Sequence, residues 1–290
     1  MTILEALERA KNLAKLQKAS LAALAERTQA SLGDANSVPA VNERLVAEHV
    51  APVHYSALER VEFDATACVK NKILVTDAQL SAAGHAAAAY RLMRSRILHR
   101  IKAGNWTCIG ITSPGPGEGK TVTVLNLAIS IARDRQRMVY LLDLDMRNPS
   151  VWDRLGCRPK YQLTQYFTEG LAPEQVLYDT SVENLVIGGA CDSIQGASEL
   201  LSSTQIDDLL QYVRRRSPGG LVLVDLPPVP STDEALIVAP RTDAFYLIVS
   251  EGVTRRDGLA RAIDLLSDFT VAGIILNRSR EKLGAEYYGY

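Results

Sequence analysis

One lysine, one threonine and three aspartates stand at spacings that suit phosphate and metal chemistry. Lys120 and Thr121 close the segment Ser113-Pro114-Gly115-Pro116-Gly117-Glu118-Gly119-Lys120-Thr121. Asp143 and Asp145 lie in Leu141-Leu142-Asp143-Leu144-Asp145-Met146-Arg147, and Asp225 ends the apolar run Leu221-Val222-Leu223-Val224 ahead of Leu226-Pro227-Pro228. The first segment reads as a phosphate cradle. Gly115, Gly117 and Gly119 let the backbone curl without side chains in the way, and successive N–H groups leading into a helix N-terminus favour an anion. Lys120 is expected to reach the β- and γ-phosphates and Thr121 to offer its hydroxyl to Mg²⁺. Magnesium takes hard oxygen ligands in octahedral geometry, and Asp143, Asp145 and Asp225 are the carboxylates available. The ligands implied are a nucleoside triphosphate and Mg²⁺, with Pro116, Gly117, Glu118, Gly119, Lys120 and Thr121 as the segment that binds the nucleotide.

The elements that must position these groups can be read from the apolar pattern. Strands are expected near 107–112, 139–143, 185–188, 221–225, 245–249 and 273–277. A helix follows the cradle, with Val122, Leu125, Ile129 and Ala132 at helical spacing, and another spans about 82–101. Strands alternating with helices predict an α/β fold of the P-loop NTPase type, a mostly parallel sheet with helices on both faces. In such sheets ligands bind at the carboxyl ends of strands, where each of the three aspartates falls. The cradle departs from the usual pattern in one respect. Pro114 occupies the place of its first glycine, and Pro116 fixes a second φ inside the loop.

With these residues in hand, the chain resembles the bacterial tyrosine kinases (BY-kinases). Ser113 to Thr121 is similar to their Walker A motif, Asp143-x-Asp145-x-Arg147 to their Walker A′ motif, and Asp225-Leu226-Pro227-Pro228 to their Walker B motif. The likeness covers residues 75 to 290, and its layout is closest to the tyrosine autokinases of exopolysaccharide loci. The resemblance implies that Lys120 holds the phosphates, and that Thr121, Asp145 and Asp225 hold the metal. It also implies that Asp143 helps deprotonate an incoming tyrosine; Asn277, after the last strand, stands where folds of this strand–helix type often place adenine contacts. Lys120, Asp143 and Asp145 are then the catalytic set. Helix capping or a turn is the simpler reading of a single aspartate after a strand; a pair framed by Arg147 argues for more.

The chain ends Tyr287-Tyr288-Gly289-Tyr290, although only 11 of its 290 residues are tyrosine. Packing gives no reason to concentrate phenols at a terminus, so Tyr287, Tyr288 and Tyr290 are the expected phospho-acceptors, modified between molecules. The expected function is ATP-dependent tyrosine autophosphorylation that regulates exopolysaccharide polymerisation and export. The resemblance adds partners, an inner-membrane chain-length determinant protein and a tyrosine phosphatase, and hence a cytoplasmic location peripheral to the inner membrane. BY-kinases form rings partly through a helix reading Glu-x-x-Arg-x-x-Arg. Here Arg91 and Arg94 are present but Ala88 replaces the glutamate, so self-association is expected to be weak or partner-dependent.

Composition excludes several other classes. A net charge of −1 gives no case for nucleic-acid binding. The four cysteines lack metal-ligand spacing and read as reduced thiols, and the four histidines are scattered. No apolar run approaches a membrane span. Four regions are expected: an N-terminal amphipathic helix (1–32), a linker (33–74), the kinase domain (75–280) and a flexible tyrosine-rich tail (281–290). Two alternatives remain from other classes. A partition- or septum-type ATPase switch carries a signature lysine where this chain has Gly115, and leaves the tyrosine tail unexplained. A nucleotide-binding scaffold that transfers phosphate poorly is compatible with the same motifs.

Overall fold

The computed structural model describes residues 57–279. The expected N-terminal helix, the first part of the linker and the tyrosine tail lie outside the described residues. In chain order the elements are β1 (Glu59–Val61), α1 (Ala65–Lys70), α2 (Asp77–Ala83), α3 (His85–Gly104), β2 (Cys108–Thr112), α4 (Lys120–Ala132) and β3 (Val139–Asp143). Then come α5 (Val151–Leu155), α6 (Leu163–Glu169), α7 (Pro173–Val176), β4 (Tyr178–Thr180), β5 (Leu185–Gly188), α8 (Ala197–Ser202) and α9 (Gln205–Arg216). The last group is β6 (Leu221–Asp225), α10 (Glu234–Val238), a 3₁₀ turn (Ala239–Arg241), β7 (Ala244–Ser250), α11 (Arg256–Leu265) and β8 (Val271–Asn277).

The strands form one eight-stranded sheet in the order β1-β4-β5-β3-β6-β2-β7-β8. Every pairing is parallel except β4 with β5. The sheet is covered on both faces: β2, β3, β6 and β7 are buried at every position, and their alternate apolar residues feed two separate cores. Tyr140, Leu142, Val222, Val224, Phe245 and Leu247 pack with α9, α10 and α11. Val139, Leu141, Leu221, Leu223, Tyr246 and Ile248 pack on the other side with α3, α4 and α5.

Residues 57–74 correct the expected linker. They add an edge strand and a capped helix, in which Asp64 accepts from the Ala67 N–H at 2.6 Å. Cys68 and Ile73 are each 1% exposed, so this stretch belongs to the folded unit. The helix expected at 82–101 is divided at Gly84, whose φ of +41° ends α2 and starts α3. All four cysteines are free thiols. Among the described residues no helix is long and apolar enough to cross a membrane.

Candidate active site

The site forms where three neighbouring strands end together. In the β3–β6 register Asp143 stands opposite Asp225, and on the other side of β6 Ile111 of β2 stands opposite the same Asp225. Strand β2 then gives way to residues 113–119, and α4 begins at Lys120. Gly117 and Gly119 have φ of +71° and +85°, a region costly for residues with a Cβ. At Gly119 a Cβ would also press against Asn277 Nδ2. Glycine avoids that backbone strain at both positions.

The loop is gripped from several sides. Ser113 Oγ donates to the Gly115 carbonyl at 2.6 Å. Asn277 Nδ2 donates to the Glu118 carbonyl at 2.9 Å, and Arg278 Nη2 to the Gly117 carbonyl at 2.8 Å. Thr254 Oγ1 donates to Glu118 Oε1 at 2.9 Å. Glu118 is only 3% exposed. Burial raises its carboxyl above the ordinary range, against the pull of Thr254 and Lys120.

The residues expected for catalysis (Lys120, Asp143, Asp145) and for the metal (Thr121, Asp145, Asp225) lie together. Lys120, Thr121, Asp143, Asp145 and Asp225 are all buried, and Lys120 Nζ lies 3.7 Å from Asp145 Oδ2. Asp143 Oδ1 accepts from the Asp145 N–H at 3.1 Å, while its Oδ2 accepts from the N–H groups of Ser150 and Val151, both at 3.2 Å. Asp143 therefore also secures the N-terminus of α5, so the capping reading of this aspartate holds alongside any chemical one. Ser150 Oγ reaches Thr121 Oγ1 at 3.2 Å. Burial, then Asp225, raises the Asp143 carboxyl well above the usual range. Burial likewise raises Asp145, partly offset by Lys120. Asp225 is pushed up to about 6 by burial, which nearby Lys120 and Thr121 only partly offset.

These residues fit a magnesium–nucleotide. Both carboxylate oxygens of Asp225 are buried with no hydrogen-bond partner, a costly state unless a cation satisfies them. Among the described residues no group of three or more His, Cys, Asp or Glu side chains could hold a metal by itself. Mg²⁺ is usually held by one or two carboxylates together with substrate phosphates and waters, and Asp225 and Asp145 are carboxylates placed at the N-terminal end of α4.

Sequence reasoning missed one further carboxylate. Glu234, at the start of α10, is 1% exposed and accepts from Arg147 Nε, while its Oε2 is buried without a partner. Its charge contributes to the raised Asp145 carboxyl. The Arg147–Glu234 pair joins positions 87 residues apart, so no local pattern announces it. Thr254 and Arg278 were missed for the same reason.

Other expected residues are placed apart from this centre. Arg94 on α3 donates to the Ser130 carbonyl at 3.0 Å and lies 4.0 Å from Asp134, whereas Arg91 is exposed. Tyr287, Tyr288 and Tyr290 are outside the described residues. A cavity of about 770 Å³ lies past the far end of α4, beside Glu62, Val75, Asp77, Arg133 and Glu183, and takes no motif residue.

No protein-family model matches the chain. Over 141 residues it is 29% identical to the tyrosine-protein kinase CpsD of Streptococcus pneumoniae serotype 4, covering 48% of this chain and 61% of that protein. Over 156 residues it is 28% identical to the tyrosine-protein kinase YwqD of Bacillus subtilis, covering 53% and 65%. The chain thus spans less than two thirds of the length of these curated relatives. Among solved structures, the VpsO kinase domain superposes with a TM-score of 0.61 at 26% identity, over 69% of this chain and 98% of that one. The septum site-determining protein MinD of Pyrococcus horikoshii, complexed with Mg-ADP, superposes with a TM-score of 0.51 at 18% identity, over 62% and 75%. The MinD likeness extends to the fold alone. The chain is thus similar in sequence to the tyrosine-protein kinases CpsD and YwqD and in fold to the VpsO kinase domain, and its lysine and aspartates meet at the ends of β2, β3 and β6.

Proposed function

We propose that the chain is an ATP-dependent protein-tyrosine autokinase. The observation that carries this reading is the meeting of Lys120, Asp145 and the unpartnered Asp225 carboxylate at one end of three adjacent strands. The loop from Pro116 to Thr121 binds the phosphates, with Lys120 moving its charge from Asp145 to them. Thr121, Asp145 and Asp225 would hold Mg²⁺, which when bound neutralises phosphate charge and orients the transferred group. Asp143, raised by burial and by Asp225, accepts the proton of an incoming tyrosine hydroxyl. Asn277, whose amide already grips the loop, is the proposed contact to adenine.

The acceptors in this reading are Tyr287, Tyr288 and Tyr290 of a neighbouring copy. Its physiological role is control of exopolysaccharide polymerisation and export. The partner is an inner-membrane chain-length determinant protein, whose cytoplasmic end would raise local concentration and so favour transfer between copies. A tyrosine phosphatase resets the tail. Supporting this, CpsD and YwqD carry the name tyrosine-protein kinase. Incubation with labelled ATP and Mg²⁺, followed by phosphotyrosine detection and mass spectrometry of the C-terminal peptide, tests the assignment. ATP hydrolysis without phosphotyrosine would point instead to a switch ATPase, and nucleotide binding without either would point to a scaffold.

A further inference from the structure

The phosphate loop has two sides. One faces Asp145 and Asp225. The other is held by the ends of β7 and β8, two strands that supply none of the motif aspartates. Thr254 sits in the turn after β7. Its hydroxyl accepts from the Ser250 N–H at 2.7 Å and donates to Glu118 Oε1 at 2.9 Å, so a single oxygen links the strand end to the loop. Glu118 Oε2 has no partner and is buried, which leaves the Thr254 hydroxyl as the side-chain donor that anchors this carboxylate.

Arg278 makes a second link. Its φ of +56° is unusual for a residue with a side chain, and its N–H donates to Asn277 Oδ1 at 2.8 Å. This bend lets Nη2 reach the Gly117 carbonyl while Asn277 Nδ2 takes the next carbonyl, that of Glu118. Strained backbone persists where its surroundings fix it, and here they fix it against the loop. Pinning these two carbonyls turns the adjoining peptide units, and so sets where the loop N–H groups point.

We propose that Thr254 and Arg278 are positioning residues that hold the phosphate loop in its anion-ready shape, Thr254 through Glu118 and Arg278 through the Gly117 carbonyl. Neither belongs to the Walker motifs. The role presupposes that the loop binds nucleotide, and the two can fail separately.

Titration calorimetry of the full chain with Mg-ADP reads the effect without needing phosphoryl transfer. Thr254→Val keeps the shape but removes the donor to a buried carboxylate, and should weaken binding roughly tenfold. Thr254→Ser should restore affinity to within about twofold, which a packing role for the Thr254 methyl would not allow. Arg278→Gly suits the positive φ yet loses the guanidinium, and should weaken binding about three- to fivefold. In kinase assays both losses should raise KM for ATP while leaving kcat within about threefold, because the grip lies away from Asp143. Arg278 is exposed, so its variant carries the test even if Thr254→Val fails to fold. Unchanged Mg-ADP affinity in Arg278→Gly and in any folded Thr254→Val overturns the proposal, as does equal weakening by Thr254→Ser. An unmodified chain that binds no Mg-ADP overturns the nucleotide reading and this role with it.

Discussion

Lys120 Nζ lies 3.7 Å from Asp145 Oδ2, and both side chains are buried. Asp145 thus serves as counter-ion to Lys120. A buried charge is tolerated when paired and costly when alone. In the proposed function phosphate would replace Asp145 as the partner of Lys120, and the freed Asp145 carboxylate would be available to hold Mg²⁺.

Lys120→Met tests both halves of that exchange. Tyrosine phosphorylation should collapse by at least about a hundredfold, since the phosphate-bound cation is gone. Asp145 should become harder to ionise, because Lys120 is the main group offsetting its burial. Phosphotyrosine formation at the unmodified rate would end the kinase assignment.

Asp143→Asn separates chemistry from architecture. The aspartate receives N–H groups from Asp145, Ser150 and Val151, and an asparagine keeps one oxygen able to accept some of them. Mg-ADP affinity should stay within about threefold of the unmodified chain while kcat falls roughly a hundredfold. If the reverse is found, with kcat kept and stability lost, Asp143 is a helix anchor and nothing more.

Asp225 predicts a pH dependence. Its carboxyl is raised to about 6, whereas an unfolded aspartate titrates near about 4. Between those values the folded chain keeps a proton that the unfolded chain has lost. The stability linked to this group is therefore present at low pH and lost as pH rises through about 6. Metal binding needs the ionised form, so it strengthens over the same window. Mg-ADP affinity should rise about fourfold from pH 5.5 to 7.5 through this group, judged from the ionised fraction. Asp225→Asn should flatten that profile and stabilise the nucleotide-free chain at pH 7.5 by roughly 1–3 kcal/mol, seen in thermal unfolding. A variant less stable than the parent there would show that the carboxylate is already compensated.

Replacing Tyr287, Tyr288 and Tyr290 together by Phe should remove most autophosphorylation with Mg-ADP affinity unchanged. Mixing a Lys120→Met chain with an active chain lacking the tail should label the inactive one if transfer runs between molecules. Labels mapping to Tyr161 or Tyr246 would instead displace the tail as acceptor; Tyr246 is 4% exposed and should be silent in the folded chain.

What was legible in the sequence is what lies within one strand–loop–helix unit. Ile109 to Lys120, Val139 to Asp145 and Leu221 to Asp225 announce themselves because a buried parallel strand must be apolar throughout, which leaves a terminal charge conspicuous. The short strands β1 and β4 did not. Glu59-Arg60-Val61 and Tyr178-Asp179-Thr180 each span three residues with polar members, too few to show a period. Glu234 and Thr254 escaped because their meaning depends on partners 87 and 136 residues away. A lone glutamate or threonine in a loop gives no sign of what folding will bring beside it.

The α3 surface gives the last prediction. Arg91 and Arg94 fall on one face of the helix at i, i+3, but the structure divides their roles. Arg94 turns inward, donating to the Ser130 carbonyl and lying near Asp134 on the segment after α4, so it braces α3 against its own domain. Arg91 is exposed, and the partly buried Ala88 stands where BY-kinases place a glutamate. A charge-assisted contact between copies is therefore missing one partner, and such contacts count for more when desolvated. Sedimentation of the unmodified chain at low micromolar concentration should show mostly monomer. Ala88→Glu should strengthen self-association about tenfold through Arg91 of a neighbouring copy, and adding Arg91→Ala should cancel that gain. Adding Arg94→Ala should lower thermal stability instead. A stable ring formed by the unmodified chain would show that assembly uses another interface.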